Sequence, residues 1–346
     1  MKLSPFSIAV TIAGAFIGAG FVSGQELWQF FGAYGIGGIA GFTVAILCII
    51  ALSSITIQYA SKTGSNTFER IINPSGNKLL KKLLLIFQTV FYISIYIIMT
   101  AGVESLVSEY CDVSPIITGI VFCITVTVIS LIGIDGIVVA FSATIPILIC
   151  AVIAVAFFVL PSNEIIIQSN IESSPSLVSN WLVSSLVFVS YNFFAGLGIF
   201  ASLQNRVKSK KILIKASVLA TAFLLVLGLS ILLSIFATDT YSSEMPMLSV
   251  SKSLNGTIGV IYAILLVIAM LGAGISSLFP LTEWFKVTFP KMRIQRIVLA
   301  FAVSAITVTL SLFGFSNLIG TVYPIFGYVG FLIIAIIIRN CIKDKT

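Results

Sequence analysis

The sequence predicts an all-α integral membrane protein with ten transmembrane helices, arranged as two five-helix repeats that cross the membrane in opposite directions. Three observations predict this fold class: the composition, the number of long apolar segments, and a glycine motif that occurs once in each half of the chain. Helices one and six, which carry the motif, are predicted to be broken at it.

The composition is that of a membrane protein. Of the 346 residues, 58% are hydrophobic and 9% are charged, whereas a soluble domain averages about 25% charged residues. The mean hydropathy is +1.15. Long apolar runs separated by short polar clusters favour helices over a β-barrel, whose strands alternate apolar and polar residues. We therefore expect a multi-pass protein of the cell membrane, with the lipid bilayer as its surroundings.

The residue types also limit the chemistry. The chain has no histidine, which excludes histidine metal sites, histidine catalytic triads and histidine proton relays. No pair of acidic residues is expected inside the membrane segments. We therefore expect no enzymatic activity and no tightly bound cofactor. The five cysteines do not indicate a disulfide framework.

A hydropathy window of about 19 residues divides the chain into ten apolar segments. The first is longer than the apolar core of a signal peptide, so we interpret it as a retained helix. The segments cover residues 5–31, 36–60, 80–107, 114–132, 136–160, 180–203, 211–237, 256–280, 295–313 and 316–339.

The charged residues predict the orientation of these segments. With both termini in the cytoplasm, 18 of the 19 basic residues fall on the cytoplasmic side, and Lys252 is the exception. The formal net charge of +7 is therefore a topology signal, and we expect no nucleic-acid partner. The acidic residues assigned to the outer loops include Glu104, at the end of the third segment.

The glycine motif suggests an internal repeat. The run GAG at 18–20 and the run GLG at 196–198 are each followed by bulky residues and a serine. Five helices in each half is an odd number, so the second half must enter the membrane the other way up. We predict repeats over 1–160 and 180–346, the second with a short cytoplasmic tail, joined by an extracellular loop at 161–179.

A broken helix has physical consequences inside a membrane. Its freed N–H and C=O groups cannot be satisfied by lipid and must face protein, water or a ligand. The N-terminus of a half-helix favours a carboxylate, and freed carbonyls favour a cation. Two facing breaks would form a site for a small zwitterion and its coupling ion. The alternative is that the glycines only allow helices to pack closely.

The run GAGFVSGQE at 18–26, together with the topology, resembles the YkvI-like amino-acid permeases of bacteria. These have the leucine-transporter fold of the amino acid–polyamine–organocation superfamily. The likeness in topology covers the whole chain, whereas its specific motifs lie in helices one, six and eight. It implies a secondary active transporter that takes up a small solute, an amino acid, by Na⁺-coupled alternating access.

Two other functions stay open. The chain could be a proton-coupled or uncoupled transporter that uses Glu26, or a ligand-sensing receptor of the same superfamily. No ATP-binding domain is found in this sequence, which excludes primary active transport by this chain alone. The identity of the substrate and the oligomeric state are not indicated.

Helix eight contains the run AGISS at 273–277, which resembles the sodium-binding motif of sodium-coupled members of this fold. Na⁺ is a hard cation that takes oxygen ligands. Alternatively, the two serines bond to carbonyls one turn earlier. Phe21 stands where a second family sodium site has asparagine, so one sodium is expected. The resemblance implies ligation by the carbonyls of Gly14, Ile17 and Ala273 and the hydroxyls of Ser276 and Ser277.

Glu26 is the acidic residue that we place inside a span. A charged group inside the membrane is a candidate functional residue. Glu26 could bind a substrate amine, carry a proton, form part of an extracellular gate, or serve as a structural carboxylate. It lies near the outer end of the first segment beside Gln25, which favours a gate or proton-linked role for both over direct contact with substrate.

The remaining candidates would surround a small, partly apolar substrate. Gln88, Tyr92 and Tyr96 are four residues apart and are predicted to share one helix face. Tyr323 and Phe326 come from the tenth segment. Aromatic stripes in membrane helices also arise from packing alone. The predicted substrate-binding set is Gly18, Ala19, Gly20, Phe21, Tyr92, Tyr191, Asn192, Phe194, Gly196 and Gly198.

Overall fold

The computed structural model describes residues 4–65, 67–111, 113–132, 137–203, 207, 209–288 and 292–343. Within these ranges it contains α-helices and no β-strand. The helices are α1 (Pro5–Gly14), α2 (Ala19–Val22), α3 (Gln25–Phe30), α4 (Gly35–Thr63), α5 (Phe68–Ile72), α6 (Lys78–Tyr110), α7 (Pro115–Ile132), α8 (Ile137–Val159), α9 (Trp181–Ser202), α10 (Lys210–Thr238), α11 (Pro246–Leu254), α12 (Gly256–Thr288), α13 (Arg293–Ser311) and α14 (Phe315–Lys343).

All ten apolar segments coincide with helices. The first segment is divided among α1, α2 and α3, and each of the others corresponds to one long helix. Shorter apolar helices lie at Pro5–Gly14, Pro115–Leu131 and Pro146–Ser162. The count of ten crossings and the cytoplasmic termini remain predictions. The stretches long and apolar enough to cross a membrane on their own are Gln25–Thr63, Lys78–Tyr110, Trp181–Ala201, Lys210–Thr238, Gly256–Thr282, Ile294–Ser311 and Phe315–Lys343.

The membrane orientation was predicted from charged residues, and only some of these lie in the described part of the chain. Lys252, the basic residue on the opposite side in that prediction, lies on α11 and pairs with Glu109 at 2.6 Å. Two short helices lie outside the ten predicted segments: α5 in the loop after α4, and α11 between α10 and α12. Lys2, Asp112, Arg206, Lys208, Lys291 and Lys345 lie outside the described residues.

The first segment is broken twice. The first break, at residues 15–18, separates α1 from α2, and the second, at Ser23–Gly24, separates α2 from α3. Gly24 has a φ of 84°, a left-handed conformation that favours glycine. These breaks confirm the prediction that the glycine-rich first helix is interrupted.

The carbonyls at the second break are satisfied by the protein. The hydroxyl of Tyr262 donates to the Val22 carbonyl at 2.6 Å. The backbone N–H of Met247 donates to the Ser23 carbonyl at 2.9 Å. Non-helical backbone at membrane depth requires such partners, so this second break is a closed structural bend.

The predicted break in the sixth helix is wrong. Helix α9 runs without interruption through the GLG motif at 196–198. A Cβ atom on Gly196 would lie 2.4 Å from Cζ of Phe200, and the Phe200 ring is fully buried. Gly196 therefore makes room for an aromatic ring one turn later, as the packing alternative proposed.

The continuity of α9 predicts opposite effects for its two glycines. Gly198→Ala should stabilise the protein by up to about 1 kcal/mol, because alanine favours a helix and no atom lies within 4 Å of the added methyl group. Gly196→Ala should be destabilising, because the buried Phe200 ring has to move. Thermal unfolding of the two purified variants in detergent checks this. A clear loss of stability in Gly198→Ala would contradict a continuous helix.

Helix α9 is held firmly by its neighbours. It packs against α4 on one side and α14 on the other. A Cβ atom on Gly327 of α14 would lie 2.8 Å from the Val187 carbonyl, and one on Gly330 would lie 3.0 Å from the Ser190 carbonyl. Small residues thus bring the two backbones into close contact, and they fix α9 and α14 as two walls of the central cavity.

Candidate functional site

A central cavity of about 220 Å³ lies at the first break. Its walls come from the break itself and from α2, α3, α6, α9, α12 and α14. It brings together most of the residues that the sequence singled out. The lining residues are Ala15, Phe16, Gly18, Ala19, Gly20, Glu26, Phe91, Tyr92, Ile95, Met99, Tyr191, Asn192, Ala195, Ala273, Ser276, Ser277 and Tyr323.

Glu26 faces this cavity. The prediction that it lies away from the break, near the outer end of the first segment, is wrong. Its oxygen Oε2 would lie 2.8 Å from a Cβ atom on Gly20. The cause is the bend at Gly24, which turns α3 so that the carboxylate folds back over α2. Counting along a single continuous helix placed Glu26 too far towards the outside. Its functional role stays a prediction.

The Glu26 carboxylate is oriented by α9. Its Oε1 accepts a short hydrogen bond from the Tyr191 hydroxyl, and the Asn192 amide lies 3.5 Å away. The Tyr191 ring stacks on Tyr323 of α14, with 4.6 Å between the ring centroids. Glu26 itself is 4% exposed. Helix α9, from the second half of the chain, therefore holds an acid from the first half, and α14 supports the Tyr191 ring.

Other predicted substrate residues lie outside the central cavity. Phe21 is fully buried, with its ring 6.5 Å from that of Phe42. Phe194 and Gly198 line an adjoining cavity of about 180 Å³, which shares Phe91, Tyr92 and Ala195 with the central cavity. Gly196 accommodates Phe200, as described above. None of these four residues lines the central cavity, and their contact with substrate stays a prediction.

The predicted shared face of α6 is only partly correct. Gln88 donates to the Tyr92 hydroxyl at 3.0 Å, and Tyr92 lines the central cavity. The hydroxyl of Tyr96 instead lies 3.0 Å from that of Ser304 on α13. Phe326 packs against Phe91, with 4.9 Å between ring centroids. Tyr96 and Phe326 are therefore packing residues around the cavity wall.

Only some of the predicted sodium ligands line the central cavity. Ala273, Ser276 and Ser277 line the cavity opposite the first break, whereas Gly14 and Ile17 do not line it. The Ser277 hydroxyl donates to the Ala273 carbonyl at 2.8 Å, which is the alternative pattern expected for a serine in a membrane helix.

Glu104 is a buried acid that the sequence reasoning misplaced. Assigned to an outer loop, it is instead inside α6 and 4% exposed. Its Oε1 accepts from the Ser311 hydroxyl at 2.8 Å, and it lies against Gly119 of α7. The predicted span does extend to residue 107, which is the signal that would have placed Glu104 inside the membrane segment.

A polar closure lies above the central cavity. The side-chain amides of Gln25 and Gln29 donate to the Ser316 hydroxyl at 2.5 and 2.7 Å. We call these three residues the outer latch, because they join α3 to the start of α14. A second cavity of about 500 Å³ lies next to the latch and is lined by Gln25 but not by Glu26; we call it the outer cavity, because it is on the outer side in the predicted orientation. Of the two predicted gate residues, only Gln25 lies in this closure.

The fold and the buried cavity define a multi-pass membrane protein of the leucine-transporter fold. The crystal structure of MhsT in complex with L-phenylalanine matches with a TM-score of 0.61 and 16% sequence identity, over 96% of this chain and 88% of MhsT. The inward-facing conformation of Mhp1 matches with a TM-score of 0.54 and 14% identity, over 91% of this chain and 75% of Mhp1.

In sequence, the chain is homologous to the uncharacterised membrane protein YkvI of Bacillus subtilis (strain 168). The two are 23% identical over 344 residues, which cover 95% of this chain and 93% of YkvI. No protein-family model matches the chain. The homology confirms the resemblance on which the sequence analysis relied, and the structural matches confirm the fold.

Proposed function

We propose that this protein is a secondary active transporter that takes up a small solute, an amino acid, by Na⁺-coupled alternating access. The observation that carries the proposal is the central cavity at the first break, which is lined by residues of both predicted repeats and lies next to the outer latch. A site that opens to one side at a time needs this arrangement. The amino-acid class is supported by the fold shared with MhsT, whose crystal structure holds L-phenylalanine.

The contrast between the two breaks supports sodium coupling. At the second break, α11 and α12 occupy the freed carbonyls, as described above. At the first break, the carbonyls of Gly14 and Ile17 accept no hydrogen bond from the described residues. The Ser276 hydroxyl, on α12, lines the same cavity and is exposed to it. Unused neutral oxygens of this kind suit a hard cation.

Uptake into proteoliposomes tests the proposal. Radiolabelled amino acids are supplied with an inward sodium gradient, and sodium is replaced by choline in the parallel experiment. We expect accumulation that requires sodium. Uptake that is undiminished in choline would overturn the sodium coupling, and no uptake of any amino acid under either condition would overturn the substrate class.

The two serines of α12 should contribute unequally to sodium dependence. Ser276→Ala removes a hydroxyl that is exposed to the cavity, so the sodium concentration for half-maximal uptake should rise by about tenfold or more. Ser277→Ala removes a hydroxyl that is buried and held against the Ala273 carbonyl, so it presents less of its oxygen to the cavity than Ser276 does and a smaller rise is expected. The measurement is uptake against sodium concentration. Equal effects would contradict this assignment of the ligands.

A proton-coupled transporter is the second candidate, because Glu26 lines the cavity. A carboxylate in the substrate cavity could exchange a proton with each transport cycle. The same proteoliposomes distinguish the two candidates. Uptake driven by an inward proton gradient in choline, and lost in Glu26→Gln, would favour the proton.

A further inference from the structure

We infer that Glu26 binds the ammonium group of the substrate, and that an ammonium group is the feature a substrate needs while a carboxylate is dispensable. The inference rests on the proposed function, in which the central cavity holds the substrate. It extends the substrate class from amino acids to small primary amines with apolar or aromatic bodies.

The carboxylate of Glu26 has one oxygen in use and one available. Oε1 is engaged by Tyr191 and Asn192 of α9. Oε2 accepts no hydrogen bond from the described residues, although the Glu26 side chain is only 4% exposed. Because Glu26 lines the cavity, the available oxygen is a buried acceptor next to the space that a ligand would fill. The glycine at position 20 leaves room for this oxygen, since a Cβ atom would lie 2.8 Å from Oε2.

The charge of the cavity favours a cation. Glu26 is the one acidic residue among its described lining residues, and none of them is basic. A buried carboxylate without an opposite charge is costly. A ligand ammonium group supplies both the charge and the hydrogen-bond donor that Oε2 lacks, and such charge-assisted bonds are about twice as strong as neutral ones.

The walls around Glu26 also suit an organic ammonium ion. Five aromatic residues line the cavity, and two of them, Tyr191 and Tyr323, stack beside the carboxylate. Aromatic faces attract ammonium groups, and more strongly where water is excluded. The cavity volume of about 220 Å³ is below the usual range of drug-sized pockets, about 300–1,000 Å³, so the body of the ligand has to be small.

The cavity offers no described basic partner for the carboxylate group of an amino acid. In an α-amino acid, the carboxylate is attached to the same carbon atom as the ammonium group. Docking the ammonium group on Glu26 therefore brings a second negative charge close to the first. Like charges repel strongly in a low-dielectric interior, and no described basic residue in the lining offsets this. The backbone N–H groups at the break are the donors that remain for it.

Matched ligand sets test the inference directly. The purified full chain, in sodium buffer, is titrated with L-alanine and ethylamine, L-leucine and 3-methylbutylamine, and L-phenylalanine and 2-phenylethylamine. The acid 3-phenylpropionate, which lacks the ammonium group, is the negative probe. Binding is read as the rise in thermal midpoint with ligand concentration. We expect at least one amine to bind as tightly as its amino acid, and no binding of the acid.

Variants then test the role of Glu26. Glu26→Gln should weaken amine binding by at least about tenfold, because it removes the charge that pairs with the ammonium group. Glu104→Gln is the matched control, since Glu104 is equally buried but does not line the cavity. It should bind the same amine within about twofold of the unchanged protein.

The outcomes separate this inference from the proposed function. If amino acids bind and are transported but none of the amines bind, the inference is wrong and the transporter proposal stands. Amine binding that survives Glu26→Gln would also overturn it. If neither amines nor amino acids bind or are transported, the proposed function itself fails. Because the ligand series uses the unchanged protein, it decides the question even where Glu26→Gln does not fold.

Discussion

Gly38→Ala is expected to prevent α4 from packing correctly and to destabilise the protein by about 3 kcal/mol or more. A Cβ atom at this position would lie 1.6 Å from the carbonyl oxygen of Phe31 and 2.5 Å from its carbonyl carbon. Phe31 belongs to the corner that joins α3 to α4, and its backbone cannot yield as a flexible side chain could. The effect should be measured as a fall in the thermal midpoint, followed by tryptophan fluorescence, and as a lower yield of monodisperse protein.

The neighbouring glycine is the control. A Cβ atom on Gly37 would lie 3.2 Å from Cδ1 of Trp181, a contact that a shift of a few tenths of an ångström relieves. Gly37→Ala should therefore retain most of the thermal stability. If the two variants unfold at the same temperature, the close approach of α4 to the Phe31 corner is not present in the protein.

Ser316→Ala is expected to shift the protein towards a state in which the central cavity is open to the outside. One hydroxyl accepts from the amides of both Gln25 and Gln29, and both glutamine side chains are buried. Each lost hydrogen bond costs about 1 kcal/mol. Because the Gln29 amide keeps its hydrogen bond to the Ser316 carbonyl at 3.0 Å, the closed state should lose about 1–2 kcal/mol. A change of this size alters the ratio of two conformations by about five- to thirtyfold.

Cysteine labelling measures this shift. A cysteine is introduced at Met99, which lines the cavity and is buried, in a chain whose exposed Cys111 and Cys150 are replaced. A membrane-impermeant maleimide should react with it about tenfold faster in Ser316→Ala. Thr321→Ala is the control, because Thr321 is exposed in the outer cavity but is not part of the latch. Equal labelling rates in all three proteins would show that the latch does not hold the cavity closed.

Hydropathy was sufficient to locate the long helices. Within a bilayer the backbone must satisfy its own hydrogen bonds, so each long apolar run in this chain is helical. The break in the first helix was also predictable, because two glycines one residue apart lie beside a polar GQE run. The apolar pattern did not predict α11, a short helix outside the long apolar segments that closes the second bend.

Tertiary packing decided the features that the sequence reasoning missed. A GLG run is ambiguous, because glycine serves a break and a close contact equally well. In α9 it serves a contact, and this depends on where the Phe200 ring lies. The direction of Glu26 depends on the bend at Gly24, since a residue count assumes a continuous helix. Glu104 shows the same dependence, because its burial follows from α7 and α13 packing against the outer part of α6.

The continuous α9 has a mechanical consequence. Among the described helices of the two predicted repeats, the first segment has a pivot between α1 and α2, whereas α9 is a strut clamped between α4 and α14. Helix α1 packs mainly against α10, a helix of the second predicted repeat, so movement at the pivot would involve helices from both halves of the chain. We therefore expect rearrangement of this fold to be asymmetric, with bending at the pivot between α1 and α2 and with α9 as the support.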